Sequence, residues 1–497
     1  MSIAATLERT KNIATAITLS PKAKRRLLLA LLLFAAVAAA LLSAFVFLPA
    51  AKYRQAARML AEYEPDLAMQ ELSQIYNYKD AAELYSNAAT EIGDAFLDLG
   101  RPIDAAIWFT KAGRSLEAEQ IFDFNSVVTG ASYVTAAIGQ DGKTYYLSNR
   151  EGDDRRSGAE TVATYSRFLP HSPGVNGLDK FGFVRLHDLG SYGLYLPDRQ
   201  MEKLRTCTGV KDMIGVVGNG VGPDYTVLLF NDGTVSVLGE EQAPLYGLTG
   251  WKNIVSVTEG YRKIFGIDRA GRLHIAYERD YPQDQRYDIS DWGGIQKVVE
   301  TGKALVALQR DGCVTVAYAG TDARYRGALT YQKNITDIAT NSSLLLLLRA
   351  NGSVKAFRVP NWASDADSGA DRYLDRISAA VNSWNGVVRI RFAAKGIYGI
   401  RFNGSVRYVS CDVSYNSVKR KYVYDGHADF AAAVSGWSDM VDVISCGTHA
   451  IGVCEDGTLR AIGDGTYLER RDSLSGATDY LRKNNGEYLN VAGWDLW

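Results

Sequence analysis

Short runs of alternating apolar and polar residues recur along most of the chain, and an Asp-Gly or Asn-Gly pair interrupts many of them. LLFNDGTVSVLG, from Leu228 to Gly239, is one example, and similar stretches begin at Leu308, Leu348, Ile400 and Val453. Alternation on both sides of such a pair predicts a β-hairpin, because these residues tolerate the positive φ angles of a tight turn. The C-terminal three quarters of the chain is therefore predicted to be mainly β.

The hairpins are parts of a longer repeat. A tryptophan or glutamine precedes the hairpin glycine by twenty residues in five units: Trp251 and Gly271, Trp292 and Gly312, Gln332 and Gly352, Trp384 and Gly404, Trp437 and Gly457. A small residue follows fifteen residues after the start in four of them: Gly266, Ala307, Gly399 and Gly452. These fixed offsets, at a period of 40 to 53 residues, predict a copied three-strand unit of the size of a β-propeller blade.

The number of units depends on one segment. Two less regular units contain Val127 and Gly209, and a further segment from Phe183 was read as lacking a hairpin glycine. Counting that segment gives an eight-bladed propeller, and treating it as an insertion gives the seven-bladed one that we favour. The stretch 492–497, AGWDLW, resembles the start of a unit. It predicts a C-terminal strand that closes the ring and removes two exposed sheet edges.

An uninterrupted apolar run lies near the start, from Leu27 to Leu48. The basic residues directly before it are Lys22, Lys24, Arg25 and Arg26, and they outnumber Lys52 and Arg54 after it. Length and charge predict a membrane anchor at 27–49, a cytoplasmic tail at 1–26 and an extracytoplasmic remainder. The alternatives are a buried core helix and a cleaved signal peptide, which would have a shorter apolar region and a small-residue cleavage site.

Residues 50–121 have apolar positions at helical spacing. In the stretch Gly93–Gly113, Gly100 is placed to end one helix and Pro102 to begin the next. The alternation of small and aromatic residues resembles a tetratricopeptide-type unit, and that resemblance implies a peptide-binding groove. We favour the alternative, a short helical stalk that joins the membrane anchor to the propeller.

The blade pattern, W-x-x-I-V-x-V followed by a small residue and a DG hairpin, resembles the regulator of chromosome condensation repeat family from about Phe122 to Trp497. The resemblance implies a propeller over 122–497 that binds other macromolecules. The family includes an exchange factor for a small GTPase and a secreted bacterial inhibitor of β-lactamases. The glycine-rich end of each family repeat is poorly kept here, since YERD follows Ala276 and FRVP follows Ala356.

Charge and cysteine content narrow the function classes. Lys plus Arg number 55 and Asp plus Glu 56, so no net positive charge favours nucleic acid, and none is expected as a partner. The five cysteines are too few and too widely spaced for a disulfide scaffold or a zinc module. Cys446 and Cys454 fall on neighbouring strands, where they either pair or are buried as small apolar residues.

No motif predicts catalysis, a cofactor or a metal. The glycine-rich stretch 217–222 leads into a strand, whereas a phosphate loop leads into a helix. Asp365, Asp367 and Asp371 alternate as in a calcium loop, but Gly369 and Ala370 stand where that loop needs a ligand and a glycine. We therefore expect no catalytic site, no cofactor-binding site and no metal site, and no enzyme.

The remaining candidate site is the set of loops that differ between repeats, at 149–180, 360–380, 412–436 and 464–486. They carry Tyr, Trp and Arg, the residue types that anchor protein interfaces. The candidate binding residues are Trp362, Tyr373, Arg376, Tyr415, Arg420, Tyr422, Tyr424 and Arg470.

The sequence thus predicts a single-pass cell-membrane protein, anchored in the lipid bilayer by 27–49, whose extracytoplasmic propeller binds another macromolecule through its loops. A protein partner is expected, and cell-wall glycan is a second possible ligand. Two alternatives stay open. One is a carbohydrate-active or other envelope enzyme built on a propeller, and the other is a regulator resembling a small-GTPase exchange factor.

Overall fold

The computed structural model describes residues 33, 37, 47–131, 134–148, 165–171, 175–186, 198–216, 225–239, 245–248, 250–278, 281–302, 304–318, 329, 332–341, 343–358, 370–416, 420–463, 491, 494 and 496–497. The chain divides into two compact units, Met1–Tyr85 and Ser86–Trp497.

Five helices precede the sheets: α1 (Leu48–Ala61), α2 (Pro65–Gln74), α3 (Ala81–Asp98), α4 (Pro102–Lys111) and α5 (Ser115–Ile121). The first unit ends within α3. In that unit Lys52 of α1 forms an ion pair of 2.9 Å with Glu71 of α2. Among the described residues, no helix combines the length and the apolar character needed to cross a bilayer. The predicted anchor at 27–49 lies almost entirely outside those residues.

The predicted helical hairpin is confirmed. α3 ends at Asp98, Gly100 adopts a φ of 69°, and α4 begins at Pro102. The helices pack closely at Gly93, where an added Cβ would lie 3.2 Å from the Phe109 ring. Leu99 follows the end of α3 and is 71% exposed, so it does not join this contact.

The rest of the second unit consists of antiparallel sheets. Eight of them contain at least three strands: β1–β3 (Val128–Ala131, Val134–Ile138, Thr144–Ser148), β4–β6 (Tyr165–Phe168, Asn176–Asp179, Val184–Leu186), β7–β9 (Val210–Val216, Tyr225–Phe230, Val235–Gly239), β10–β13 (Leu245–Tyr246, Ile254–Gly260, Lys263–Asp268, Leu273–Glu278), β14–β16 (Ile295–Thr301, Ala304–Gln309, Val314–Tyr318), β17–β19 (Ile335–Thr340, Leu344–Arg349, Val354–Arg358), β20–β22 (Val387–Ala393, Gly396–Arg401, Val406–Ser410) and β25–β27 (Met440–Ser445, His449–Cys454, Leu459–Gly463). We number these sheets 1 to 8; β10 is an additional edge strand of sheet 4, so β11 is its inner strand.

Further elements lie between the sheets. They are the hairpin β23–β24 (Asp412–Asn416, Lys421–Asp425), the helices α6 (Asp198–Thr206), α7 (Asp371–Asn382) and α8 (Ala428–Ser435), and 3-10 turns at Phe124–Ser126 and Gln283–Gln285. The inner strands contact one another in the order β7, β11, β14, β17, β20, β25, and β25 also contacts β1. The series of sheets thus returns to its beginning, which is the arrangement of a β-propeller.

Each hairpin glycine contributes to the joint with the next sheet. The carbonyl of Gly233 accepts a 2.9 Å hydrogen bond from the amide of Ile254, and Gly271 is joined to Ile295 at 2.8 Å in the same way. Leu496 continues this series, since its amide donates to the carbonyl of Gly457 at 3.2 Å. The predicted closing segment therefore packs where a next sheet would begin, but its described residues belong to no strand, which corrects that prediction.

The recurring tryptophans pack on the recurring small residues. The pairs are Trp251 with Gly266, Trp384 with Gly399, and Trp437 with Gly452. An added Cβ on Gly266 would lie 2.5 Å from the indole of Trp251, so the glycine makes room for the ring. In sheet 6 Leu347 stands at this position of the register and fills the space. That is why the same repeat begins with Gln332 and not with tryptophan.

Three predicted insertions contain regular structure. The range 149–180 includes β4 and β5, and Gly182, with a φ of 80°, is the hairpin glycine of sheet 2. The range 360–380 includes most of α7, and 412–436 includes β23, β24 and α8. The range 464–486 lies outside the described residues. Cys446 and Cys454 are buried free thiols.

Candidate functional site

The antiparallel pairing sorts the connections into two ends. In sheet 7, Ser410 at the end of the third strand pairs with Gly396 at the start of the second, and the amide of Cys411 donates to the carbonyl of Lys395 at 2.8 Å. The chain therefore leaves each sheet beside the turn between its first two strands. We call this the loop end, and the end that carries the glycine hairpins the turn end.

Helix α7 follows sheet 6 and begins at the loop end. Arg358, the last residue of β19, lies 3.4 Å from Asp371 and 3.6 Å from Asp375 of the helix. Ile377 and Val381 are buried in the core between sheets 6 and 7. These apolar contacts fix one face of α7 and leave Arg372 and Arg376 on the exposed face.

The hairpin β23–β24 follows sheet 7, and polar contacts hold its base. Asp412 lies 3.3 Å from Lys395 Nζ and 3.0 Å from His427 Nε2. The Ser410 hydroxyl donates to the carbonyl of Asp425, the cross-strand partner of Asp412. His427 occupies the left-handed region with a φ of 42° and leads into α8. The hairpin is thus tied to the body of the sheet at both of its ends.

Helix and hairpin meet in a cluster of aromatic and basic side chains. Tyr373 and Tyr424 stack with their ring centroids 5.8 Å apart and an interplanar angle of 18°. The guanidinium of Arg376 lies 5.8 Å from the Tyr424 ring, and that of Arg372 lies 4.6 Å from the Tyr373 ring. Arg372 also donates to the Tyr373 hydroxyl at 2.8 Å. We call Arg372, Tyr373, Arg376 and Tyr424 the Tyr–Arg surface.

Three of the eight predicted binding residues thus come together: Tyr373, Arg376 and Tyr424. Tyr422 lies two residues before Tyr424 on the same strand and is half-buried, and the register places Tyr415 opposite it. Arg420 is exposed at the hairpin tip with a φ of 48°. Trp362 and Arg470 lie outside the described residues.

Arg372 was not among the candidates. Its position four residues before Arg376 places both on one face of a helix, and this spacing could have identified it. The structure does not show the loop aromatics as one patch, because several of them lie in ranges that it does not describe.

The chemistry of this region is that of binding. Asp412 and His427 form a pair, but the nearby Ser410 hydroxyl donates to a carbonyl and not to the imidazole. Burial raises the pKa of the Cys411 thiol to about 12, which keeps it protonated near neutral pH. In the described part of the chain no three side chains form a group that could hold a metal ion.

A second polar cluster, which the sequence analysis missed, lies where the inner strands converge. Lys297 of β14 pairs with Asp337 of β17 at 2.7 Å, and Arg389 of β20 pairs with Asp442 of β25. All four residues directly follow a register shift in their strand. A basic residue in one sheet and an acidic residue two positions into the next inner strand was the available signal.

Helix α5 completes this cluster, which we call the central ion network. Glu119 pairs with Arg391, and Arg391 also contacts Asp442 at 2.9 Å. Burial by itself raises the pKa of Glu119, but the positive charges of Arg391, Lys297 and Arg389 outweigh it and lower that pKa to about 2. The network is buried between the sheets and α5, and it joins them as part of the fold.

Comparison with known proteins gives only distant similarities. No family model and no curated protein match the sequence. Among solved structures, the computationally designed Ika8 protein is 13% identical over 68% of this chain and 84% of its own, with a TM-score of 0.31. Prp20p from Saccharomyces cerevisiae is 11% identical over 70% and 84%, with a TM-score of 0.30. BamB from Moraxella catarrhalis is 13% identical over 56% and 81%, with a TM-score of 0.30. Similarities of this size carry no inference about function.

Proposed function

We propose that this protein is an interaction scaffold, an eight-bladed propeller of the regulator of chromosome condensation type that binds a protein partner through the Tyr–Arg surface. Recognition makes and breaks no covalent bond in this proposal. The chain is held in the cell membrane by 27–49, with its helical stalk and propeller on the extracytoplasmic side.

The observation that carries the proposal is the stacked pair Tyr373–Tyr424, flanked by two exposed arginines at the loop end. Rigid aromatic rings beside arginine are the typical centre of a protein interface, because they bury a large area and lose little conformational entropy. The arginines contact the rings and keep guanidinium donors available for acceptors on a partner. Three chain segments that differ from sheet to sheet build this surface, whereas the sheets themselves repeat.

The anchor and the blade number have separate support. Uniform apolar character over 27–48 and the excess of basic residues before it support the anchor and its orientation. The formation of a three-stranded sheet by 165–186 supports eight blades over seven.

The test is capture of partners from envelope extract by chemical cross-linking to the full chain, followed by affinity measurement with the identified partner. The double variant Tyr424→Ala/Arg376→Ala should weaken binding by about 2 kcal/mol, roughly thirtyfold in Kd. The matched control is Tyr261→Ala/Arg286→Ala, which removes another exposed tyrosine and arginine from sheet 4 and its following loop. The control should bind like the unmodified chain.

Equal binding by the unmodified chain and the Tyr424→Ala/Arg376→Ala variant would refute the role of this surface. A parallel sample contains purified cell-wall glycan. Saturable binding to glycan without any protein partner, or its turnover, would favour the carbohydrate-active alternative.

A further inference from the structure

The hairpins of the turn end are built in a common way. In six of them the residue before the glycine accepts a hydrogen bond from the amide two residues later, at 2.9 to 3.2 Å: Asp141, Asp232, Asp311, Asn351, Asn403 and Asp456. This side chain holds the turn in its conformation. The residue type at that position is therefore explained by the turn itself.

Sheet 2 is an exception, because Phe181 occupies this position. Its turn is held by Asp179, whose Oδ1 accepts from the amides of Phe181 at 2.8 Å and Phe183 at 3.1 Å. Sheet 4 shows that nothing large is needed there, since Asp268 serves the same purpose and the equivalent residue is Ala270. Phe181 is nevertheless a large apolar side chain that is 70% exposed. The fold does not account for it.

Basic residues surround Phe181 along one side of the turn end. Lys180 lies with its Nζ 5.0 Å from the Phe181 ring centroid. The exposed basic residues of the turns and strand starts from sheet 2 to sheet 6 are Lys180, Lys252, Arg269, Arg310 and Lys333. We call these five residues the basic arc. They outnumber the two exposed aspartates of the same turns, Asp232 and Asp311, which already accept the hydrogen bonds of their turns.

The basic arc is continuous between neighbouring sheets. The guanidinium of Arg310 donates to the carbonyl of Arg269 at 2.9 Å, so the turns of sheets 4 and 5 are in direct contact. The other side of the turn end differs, because sheets 7 and 8 expose Asp439 and Asp456 there. The positive charge is therefore confined to one side, together with the exposed ring.

We propose that the basic arc and Phe181 form a docking surface for an anionic lipid bilayer. Lysine and arginine near such a bilayer gain free energy from its negative surface potential, and aromatic rings favour the boundary between headgroups and hydrocarbon. The cations are spread over successive turns at one end of the ring, which suits a broad surface better than a narrow peptide. Because the Tyr–Arg surface belongs to the loop end, it stays accessible to a partner.

The experiment compares the full chain with vesicles of pure phosphatidylcholine and with vesicles that also contain phosphatidylglycerol. Amine acylation followed by mass spectrometry measures the labelling rates of Lys180, Lys252 and Lys333. We expect these rates to fall about fivefold with the anionic vesicles and to recover at high salt, since salt screens the attraction. Lys355 and Lys421, exposed elsewhere on the propeller, are the internal controls and should be labelled equally in both samples.

Two variants test the assignment. Phe181→Ser and Lys180→Glu/Arg269→Glu change exposed side chains and leave the Asp179 contacts in place, so both should fold. Each should reduce the protection of Lys252 and Lys333, and their circular dichroism should match that of the unmodified chain. The comparison holds whether or not 27–49 inserts, because both vesicle types offer the same hydrocarbon interior.

Equal labelling in the two vesicle types would overturn the proposal. Protection of Lys421 to the same degree as Lys252 would also overturn it, because the effect would then not belong to the turn end. Protection by polyglutamate without any protection by anionic vesicles would indicate an acidic protein partner in place of a bilayer. None of these outcomes bears on partner capture by the Tyr–Arg surface.

Discussion

Arginine stands in two regions of this propeller with opposite exposure. In the central ion network Arg389 is 0% exposed and donates to Asp442, the Thr110 hydroxyl and the Ser115 carbonyl. On the Tyr–Arg surface Arg372 and Arg376 lie exposed over tyrosine rings. The buried arginine has charged and polar acceptors from the fold, and the exposed pair leaves donors free. Residue type alone therefore does not distinguish a structural site from a binding site; the supply of acceptors does.

Removing the buried arginine should have the largest effect. Arg389→Ala leaves Asp442 buried with one cationic partner fewer, and we expect the free energy of unfolding to fall by about 3 to 5 kcal/mol. Chemical denaturation followed by circular dichroism measures it. Arg376→Ala, the matched change on the surface, should lower it by less than about 0.5 kcal/mol. Similar losses in both variants would abolish the distinction between the two regions.

The packing of tryptophan on glycine should give an intermediate effect. Gly266→Ala introduces a methyl group that would lie 2.5 Å from the Trp251 ring, and we expect a loss of about 1 to 3 kcal/mol. Gly293→Ala is the control, because an added Cβ there meets no atom within 4 Å. A Gly266→Ala protein as stable as the control in thermal denaturation would show that the repeat glycine is not required for packing.

The smallest effect is expected from the charge of Glu119, and it depends on pH. Its pKa is about 2 in the folded chain, against an ordinary value of 4.5. A lowered pKa gives stability that is present above the ordinary value and is lost as pH falls from about 4.5 through 2. Glu119→Gln should therefore flatten the dependence of the melting temperature on pH over this range.

The control for that measurement is Glu117→Gln on the same helix, whose side chain pairs at the surface with Arg114. It should keep the acid dependence of the unmodified chain. An unchanged acid dependence in Glu119→Gln would exclude Glu119 from the central ion network.

Much of the architecture could be predicted from local patterns. The spacing from tryptophan to hairpin glycine located sheets 4 to 8, because turn geometry and ring packing act over short stretches of chain. Sheet 2 was missed because Phe181 replaced the expected aspartate, and the compensating Asp179 is visible only as a hydrogen-bond acceptor in the folded turn. The closing segment was placed correctly beside sheet 8, but it packs without forming a strand.

The site was less predictable. Tyr373, Arg376 and Tyr424 were chosen by residue type in loops that differ between repeats. The stacking of Tyr373 on Tyr424 depends on how α7 and β23–β24 pack beside neighbouring sheets. The central ion network was missed for the same reason, since Glu119 and Arg391 are far apart in sequence.

The sequence by itself determined the strands, their turns and the repeat, because backbone preference and the alternation of apolar residues are local properties. The tertiary structure alone decided which arginines are buried and which are exposed. That outcome depends on acceptors contributed by other sheets and by α5, and the distance to those acceptors exists only once the ring of sheets has closed.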